Sequence, residues 1–390
     1  MTSPWLRLLV VFLPFFANAL LYIGLPPLLD QMSLTIPMSH VGQGSLMGVV
    51  SLASLAMVLV GGPLVDRRGG RFAGILGCAL TIPGGLLAAV PTYEVILVGR
   101  ALIGAGGLLS MVVASRAVGR LFPAGRQAVP MGLFHAVFPL AATLSFSLFR
   151  SLAENVGWQV VVLGATGAMT LSLVLFWGLY REETASEGAT EKTSLRDALR
   201  LPGRFWILMA LWLVYGITGG TVNTFGAAHL IATGLDAMQA DRVIMWAMLG
   251  VIPATPLLGA MVGRWGGLHP LLTTCGLISG GILGLLINRL GPPEVLGFLF
   301  GMVLAGVPLS VFLLLPGWVG THRTGLGFAL LQGAISIGGL AGPVISGTLR
   351  DLTGNHVAGM TIAMGLMMMT GVLGGVLWWV QVNVDKRTTG

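Results

Sequence analysis

Twelve runs of about 20 or more mainly apolar residues recur along this chain of 390 residues. A helix of about 20 apolar residues crosses the hydrocarbon core of a bilayer, so each run is long enough to span a membrane. Hydrophobic residues make up 55% of the chain and charged residues only 9%, whereas soluble domains carry about 25% charge. The pattern predicts an all-α integral membrane protein with twelve transmembrane helices, at approximately 5–29, 41–64, 71–91, 94–118, 128–152, 158–180, 205–231, 241–263, 268–289, 294–318, 325–349 and 356–381.

The placement of lysine and arginine predicts how the chain is oriented. With the N-terminus inside, sixteen of the 21 basic residues fall in cytoplasmic segments, and only Arg150, Arg242, Arg289 and Arg350 fall on the opposite side. Cytoplasmic loops carry this excess in membrane proteins. We therefore expect a multi-pass protein of the cytoplasmic (inner) membrane with both termini in the cytoplasm. The same distribution attributes the net charge of +7 to membrane insertion and predicts no nucleic-acid partner.

One long polar stretch divides the twelve predicted spans into two sets of six. It contains five of the 14 acidic residues of the chain and several basic ones. We interpret it as a cytoplasmic linker, which predicts an N-terminal six-helix bundle at 1–181, the linker at 182–204 and a C-terminal six-helix bundle at 205–390.

The two halves repeat one another at an offset of 197 residues. That offset pairs Cys78 with Cys275 and Gly104 with Gly301, and it continues without gaps from the first predicted span to the fifth. Six spans and six spans in parallel orientation predict two pseudo-symmetric bundles related by an axis along the membrane normal. A substrate site is then expected between them, near the middle of the membrane.

Residues 62–71 read Gly-Pro-Leu-Val-Asp-Arg-Arg-Gly-Gly-Arg, where the chain must reverse between the second and third spans. This stretch resembles the signature of the major facilitator superfamily between its helices 2 and 3. Arg100-Ala101-Leu102-Ile103-Gly104-Ala105-Gly106 resembles that family's helix 4 pattern, and residues 338–354 resemble its helix 11 ending. The resemblance covers nearly the whole chain. It implies the fold of that family and transport by rocker-switch alternating access.

The resemblance also implies that the turn acts as a conformational latch, through contact with helix 11 in the outward-facing state. Gly62, Asp66, Arg67, Gly69 and Arg71 are the residues that match. From the residues alone, the arginines simply retain the loop in the cytoplasm. The second half departs from the pattern, because Gly263 stands where the acid of the signature would be.

Arg100 is the one arginine or lysine that belongs to neither side and is left inside a span, while no acidic residue lies near a span centre. A charge within a span usually faces a cavity or a partner, although a long side chain can also extend to the interface. A cavity with a cation and no acid favours an anionic substrate. We therefore expect Arg100 to bind substrate.

Further polar residues are candidate substrate contacts. His135 pairs with Gln332 under the 197 offset, and Asn18 and Tyr22 share one face of the first span. Tyr215 and Asn223 belong to a polar cluster in the seventh span. Because such groups also hold membrane helices together, each has a structural alternative. A histidine can in addition carry a coupling proton.

These features predict a secondary transporter for a small anionic solute that is functional as a monomer. Phe225–Leu235 resembles monocarboxylate and oxalate carriers, and the helix 10–11 region resembles cyanate and nitroimidazole carriers. The alternatives are an efflux carrier for hydrophobic compounds and a non-transporting receptor or assembly protein. In the fifth span, Phe138-Pro139 stands where the antiporter pattern has Gly-Pro, which argues against exchange of a drug for protons. No catalytic constellation or metal-ligand spacing is present, so we expect no enzyme, no metal and no cofactor beyond a possible ion gradient.

Overall fold

The computed structural model describes residues 3–123, 126–181, 201–319 and 324–389, and within these ranges the secondary structure is helical. Twelve segments of the described chain are long and apolar enough to cross a membrane. The helices are α1 (Pro4–Ile23), α2 (Leu29–Thr35), α3 (His40–Ala88), α4 (Tyr93–Leu121), α5 (Ala128–Val156), α6 (Trp158–Leu179), α7 (Gly203–Ala232), α8 (Ala237–Trp265), α9 (Leu268–Ile287), α10 (Pro293–Leu304), α11 (Gly306–Val319), α12 (Thr324–Thr353) and α13 (Val357–Thr389). The prediction of an all-α membrane protein with twelve spans is confirmed.

The chain forms two compact units, Met1–Glu191 and Lys192–Gly390, which we call the first and second unit. Of the predicted linker at 182–204, residues 182–200 lie outside the described part of the chain. The proposed ends of the linker and of the two bundles therefore remain predictions.

The reversal between the second and third spans takes place at a single residue. The sequence predicts a loop at 62–71, but α3 is helical from His40 to Ala88 except at Gly69, whose φ of 84° and ψ of 161° are not helical. L-residues with a side chain rarely adopt such a positive φ, whereas glycine does so at no steric cost. The motif that resembles the family signature is thus mostly helix, with its turn concentrated in Gly69.

Contacts with α4 show that the two arms of α3 run in opposite directions. In the first arm, Leu46 contacts Arg100, and Val50, four residues later, contacts Gly104, so both helices advance in the same order. In the second arm the order is inverted, because Gly77 meets Gly106 and Gly84 meets Gly99. α4 therefore packs against both arms, which Gly69 connects.

The predicted first and tenth spans are also interrupted. The apolar run at 5–29 contains the end of α1 at Ile23, a 3₁₀ turn at Pro26–Leu28 and the start of α2. The run at 294–318 is divided at Ala305 into α10 and α11. Both interruptions lie near prolines, which have no N–H group to continue the helical hydrogen bonds.

The repeat is visible in the packing of each unit taken by itself. A side chain on Gly104 of α4 would overlap the carbonyl oxygen of Val50, and a side chain on Gly301 of α10 would overlap the carbonyl oxygen of Ala247. Both pairs are related by the same offset of 197 residues. Small residues permit such close approach of membrane helices, so the two units use the same contact to pack equivalent helices.

Candidate functional site

Arg100 lies in the middle of the first unit with 1% of its surface exposed. Its Nη1 donates a hydrogen bond to the carbonyl oxygen of Leu21 at 2.6 Å, and its Nε donates to that of Leu46 at 3.0 Å. Its Nη2 donates to the carbonyl oxygen of Tyr22 at 3.0 Å and lies 3.3 Å from Sδ of Met47. One side chain of α4 thus holds the end of α1 and the first arm of α3.

This environment differs from that of a substrate-binding arginine. A guanidinium has five N–H donors in a planar fork, and here donors on all three nitrogens already have partners in the protein. Because the side chain is also 1% exposed, a carboxylate substrate could reach it only if the surrounding helices moved. In this conformation Arg100 orders the helices around it, and its predicted contact with substrate remains a prediction.

Tyr22 connects Arg100 to further polar and aromatic groups. Its hydroxyl lies 2.9 Å from the hydroxyl of Ser51 on α3. Its ring meets the ring of Phe138 on α5 edge to face, with the centroids 5.7 Å apart. Sequence reasoning identified Tyr22 as a candidate substrate contact but did not identify Ser51 or Phe138 as its neighbours. Their residue types were visible in the spans, but nothing local indicates that they face Tyr22.

Asn18 lies one turn before Tyr22 and is almost completely buried, with 3% of its surface exposed. Its Nδ2 donates hydrogen bonds to the hydroxyl of Thr81 at 3.0 Å and to the carbonyl oxygen of Ile103 at 2.9 Å. Asn18 therefore ties α1 to both α3 and α4. Such bonds contribute about 0.6 kcal/mol each between membrane helices, which fits the structural alternative for this residue.

His135 is the most accessible candidate in the first unit. It is exposed on α5, and its ring lies 5.1 Å from the ring of Phe134 in an edge-to-face arrangement. Phe134 in turn stacks on Phe15 of α1, with centroids 5.3 Å apart. His135 thus lies on α5 next to the aromatic side chains that connect α5 with α1.

The second-unit candidates lie on α7 and α12. Tyr215 is half-buried and stacks almost parallel on Trp212, with ring centroids 4.8 Å apart. Asn223 of α7 and Gln332 of α12 are also half-buried. The two helices pack directly, because the backbone of Ile335 lies against Gly216. The structure therefore groups Asn18, Tyr22 and Arg100 in the first unit, while the predicted pairing of His135 with Gln332 stays a prediction.

The predicted latch residues surround the reversal at Gly69. Arg67 is exposed, and Nη2 of Arg71 donates a hydrogen bond to the carbonyl oxygen of Trp177 at the end of α6, at 2.9 Å. A side chain on Gly62 would have open space around it, so sterics do not require glycine there. The side chain of Asp66 lies outside the described part of the structure. The latch function of these residues remains a prediction.

Few charged side chains are buried in the described part of the chain. They are Arg100, Arg150 and Asp241. Arg150 near the end of α5 pairs with Asp30 of α2 at 2.9 Å, and Asp241 lies in the first two turns of α8. Arg100 and Arg150 belong to the first unit, so the buried formal charges among its described side chains are positive.

Comparisons with known proteins give a consistent result. The family model of the Major Facilitator Superfamily matches residues 8–292. Monocarboxylate transporter 13 of Bos taurus is 29% identical over 332 residues, which are 80% of this chain and 74% of that protein. The Methylenomycin A resistance protein of Streptomyces coelicolor is 29% identical over 212 residues, which are 50% of this chain and 41% of that protein. The crystal structure of nucleoside transporter NupG superposes with a TM-score of 0.73 at 14% identity, over 97% of this chain and 99% of that one.

Proposed function

Since the chain belongs to the major facilitator superfamily of membrane transporters, we propose that it is a secondary active transporter for a small monocarboxylate anion. A relative that aligns over 80% of the chain is named as a monocarboxylate transporter. The transport class follows from the family. The choice of an anion rests on the charges in the spans.

The charge distribution is the observation that carries this choice. Each acidic residue in the described helices lies within about five residues of a helix end or of the reversal at Gly69, as Glu94, Glu154 and Glu294 illustrate. Moving a carboxylate into the membrane interior costs several kcal/mol unless donors or positive charge compensate it. Arg100 and His135 each lie seven residues from the start of their helices, deeper than these acids. This distribution of charge favours an anion over a cation.

His135 is the group that we propose contacts the carboxylate. Its ring is exposed on α5 beside the aromatic side chains of Phe134 and Phe15. A protonated imidazole donates hydrogen bonds to a carboxylate, and histidine is the side chain best suited to gain and lose a proton near neutral pH. We propose that a proton enters with the anion and is carried by this histidine.

Arg100 supports the same function from a distance. Its guanidinium adds positive potential to the first unit, since the field of a buried charge extends beyond its hydrogen-bond partners. It also fixes Tyr22, whose hydroxyl and ring are the parts able to face a solute. Asn18, Tyr215, Asn223 and Gln332 are the remaining candidates for polar contacts with substrate.

The proposed transport cycle is rocker-switch alternating access of two units built on one repeat. In this cycle Asp66 and Arg71 act as the latch that favours one access state. Arg71 is already ordered by the carbonyl of Trp177, which gives the latch a fixed cationic side. We propose that the protein lies in the cytoplasmic membrane with both termini in the cytoplasm, because basic residues concentrate in alternate loops. We also propose that a single chain is the functional unit.

An uptake assay with purified full-length protein in liposomes tests the substrate class. We expect unlabelled lactate to compete with the uptake of radiolabelled pyruvate. Lactamide, which has nearly the same size but no charge, is the matched control and leaves uptake unchanged. The monocarboxylate proposal is contradicted if lactamide competes as well as lactate does. It is also contradicted if the protein transports other solutes but takes up no pyruvate.

Efflux of a hydrophobic compound is the competing function, and the match to the methylenomycin resistance protein is the observation that favours it. That match covers half of the chain, compared with 80% for the monocarboxylate relative. The stack of the half-buried Tyr215 on the buried Trp212 is the aromatic group it would use. Export of a hydrophobic dye that carboxylates do not inhibit supports this alternative.

A further inference from the structure

Four aromatic side chains of the second unit form one connected group, which we call the aromatic cluster. Tyr215 stacks on Trp212 within α7, with the ring planes 1° apart. Phe312 of α11 meets Trp212 edge to face at a centroid distance of 5.4 Å, and Phe328 of α12 lies 5.8 Å from Phe312. Trp212 is buried, whereas Tyr215 and Phe312 are half-buried and Phe328 is 38% exposed. The cluster thus has a buried base and three rings with accessible surface.

Two polar groups border the accessible side of the cluster. Gln332 lies four residues after Phe328 on α12, so the two side chains share one face of that helix. Within the described part of the chain, neither the amide of Gln332 nor the hydroxyl of Tyr215 has a hydrogen-bond partner. Both residues lie well inside helices long enough to span the membrane. Polar groups at such depth face a cavity rather than lipid, so the face that carries Phe328 and Gln332 is expected to face a solute.

The equivalent group of the first unit has its partners in the protein. Under the 197 offset Tyr215 corresponds to Asn18, which donates hydrogen bonds to Thr81 and to the carbonyl oxygen of Ile103. The counterpart of Thr81 in the second unit is Ile278, whose side chain has no hydrogen-bonding group. A hydroxyl without a partner inside the membrane is costly. Tyr215 is therefore placed to bind a solute or water, whereas Asn18 holds helices together.

We propose that the aromatic cluster and Gln332 bind an aromatic ring of the transported anion, so that an aryl monocarboxylate is the preferred substrate and pyruvate a weaker one. A flat ring can make the stacked and edge-to-face contacts that these side chains already make with one another. A hydroxyl on that ring can exchange hydrogen bonds with Tyr215 and Gln332. The inference rests on the proposed transport function, which supplies the carboxylate, while the ring site is assigned from residues of the second unit.

Binding to the purified full-length protein in lipid nanodiscs tests the ring site without requiring transport. Calorimetry compares phenylacetate with cyclohexylacetate, which has the same charge and nearly the same size but no aromatic ring, and empty nanodiscs correct for partitioning into lipid. We expect phenylacetate to bind about three- to tenfold more tightly, the factor that aromatic contacts add beyond buried area. Equal affinities overturn the proposal. Phenylacetamide that binds as tightly as phenylacetate also overturns it, because the site then takes uncharged aromatic solutes.

Replacing one ring of the cluster locates the preference. Phe328→Leu should abolish the preference for phenylacetate over cyclohexylacetate while leaving the melting temperature nearly unchanged, since Phe328 is partly exposed. Phe298→Leu in α10 is the matched control, because its ring contacts Trp246 and lies outside the cluster. We expect this variant to keep the preference. A preference that survives in Phe328→Leu places the ring elsewhere and contradicts the proposal.

A ring hydroxyl tests the two polar groups. We expect 4-hydroxyphenylacetate to bind several-fold more tightly than phenylacetate, because its hydroxyl supplies the partner that Tyr215 and Gln332 lack. Gln332→Leu and Tyr215→Phe should each reduce this gain and leave the binding of phenylacetate itself nearly unchanged. If the gain is absent, or persists in both variants, the proposed site is wrong.

Uptake into liposomes separates this inference from the proposed function. If radiolabelled pyruvate is taken up and lactate competes, but phenylacetate competes no better than cyclohexylacetate, the ring site is wrong and the proposed function stands. If the protein transports other solutes but neither pyruvate nor phenylacetate, the proposed function fails and the inference fails with it. We expect phenylacetate to inhibit pyruvate uptake at concentrations about three- to tenfold below those of cyclohexylacetate.

Discussion

Nη2 of Arg100 donates a hydrogen bond to the carbonyl oxygen of Tyr22 at 3.0 Å, so the fourth helix directly holds the C-terminal end of the first. The other donors of the guanidinium bind Leu21 and Leu46, which extends the link to α3. A single cation thus joins three helices through main-chain atoms. This role is structural in the first instance, and it makes definite predictions for stability.

Replacing Arg100 by Gln should lower the free energy of unfolding by about 1–3 kcal/mol, since several charge-assisted hydrogen bonds are lost. Arg100→Lys should be intermediate, because one ammonium group does not match the fork of a guanidinium. Thermal unfolding of the purified protein measures both, with Arg242→Gln at an exposed position as the control. An unchanged melting temperature for Arg100→Gln contradicts the structural role. Normal pyruvate uptake by that variant, once folded, removes Arg100 from the substrate site.

Alanine at Gly104 or Gly301 should destabilise the unit that contains it. The added methyl group overlaps the carbonyl oxygen of Val50 or Ala247, and backbone atoms cannot rotate away. Overpacking of this kind costs about 1–3 kcal/mol. Gly164→Ala in α6 is the control, because its methyl group has open space and alanine favours the helix. Comparable melting temperatures for all three variants would falsify the proposed packing equivalence.

Two glycines of the same motif should respond differently to alanine. Gly69 has a φ of 84°, and holding a residue with a side chain there costs about 1–3 kcal/mol. Gly62 is helical with open space beside it, so Gly62→Ala should be neutral or slightly stabilising. Denaturation of the two variants side by side measures the difference. Equal stabilities show that the reversal does not depend on Gly69.

Asp66→Asn should weaken the proposed latch without affecting folding. Removing the charge takes away the acid of the motif and leaves Arg67 and Arg71 in place. We expect cysteines introduced on the cytoplasmic side to react faster with a membrane-impermeant maleimide in this variant. Asp236→Asn, a change at the start of α8, is the control. Identical labelling of Asp66→Asn and the unmodified protein counts against the latch.

Pyruvate uptake should rise as the pH falls, because a lower pH favours the protonated form of a histidine. The imidazolium of His135 is the form that we propose binds the carboxylate. His135→Gln should show lower uptake and lose this pH dependence, whereas His40→Gln, at the first residue of α3, should retain it. Uptake that increases with pH, or a pH profile that His135→Gln leaves intact, contradicts the role of His135.

Much of the fold could be predicted because span length and apolarity are local properties. The twelve spans, the all-α class and the duplication follow from runs of about 20 apolar residues and one constant offset. The position of the reversal was predicted only within ten residues. The structure narrows it to Gly69, since the neighbouring residues of the motif also satisfy helical hydrogen bonds.

The candidate site was less accessible to sequence reasoning. Arg100, Asn18 and Tyr22 were identified as polar residues in spans, but their partners are largely main-chain carbonyls of Leu21, Leu46 and Ile103. Every residue has such a carbonyl, so no residue pattern marks the ones that are used. The hydroxyl partners Ser51 and Thr81 lie 29 and 63 residues away from Tyr22 and Asn18.

The sequence by itself determined that this is a membrane protein of twelve helices in two repeated halves, with positive charge and no acid deep in its spans. Those properties depend on composition along the chain. Only the tertiary structure decided that Arg100 is enclosed by three helices, and that Asn18 has hydrogen-bond partners whereas its counterpart Tyr215 has none among the described residues. The physical reason is that hydrogen bonding and packing depend on which backbones meet across the fold, and an offset in sequence does not specify how close they come.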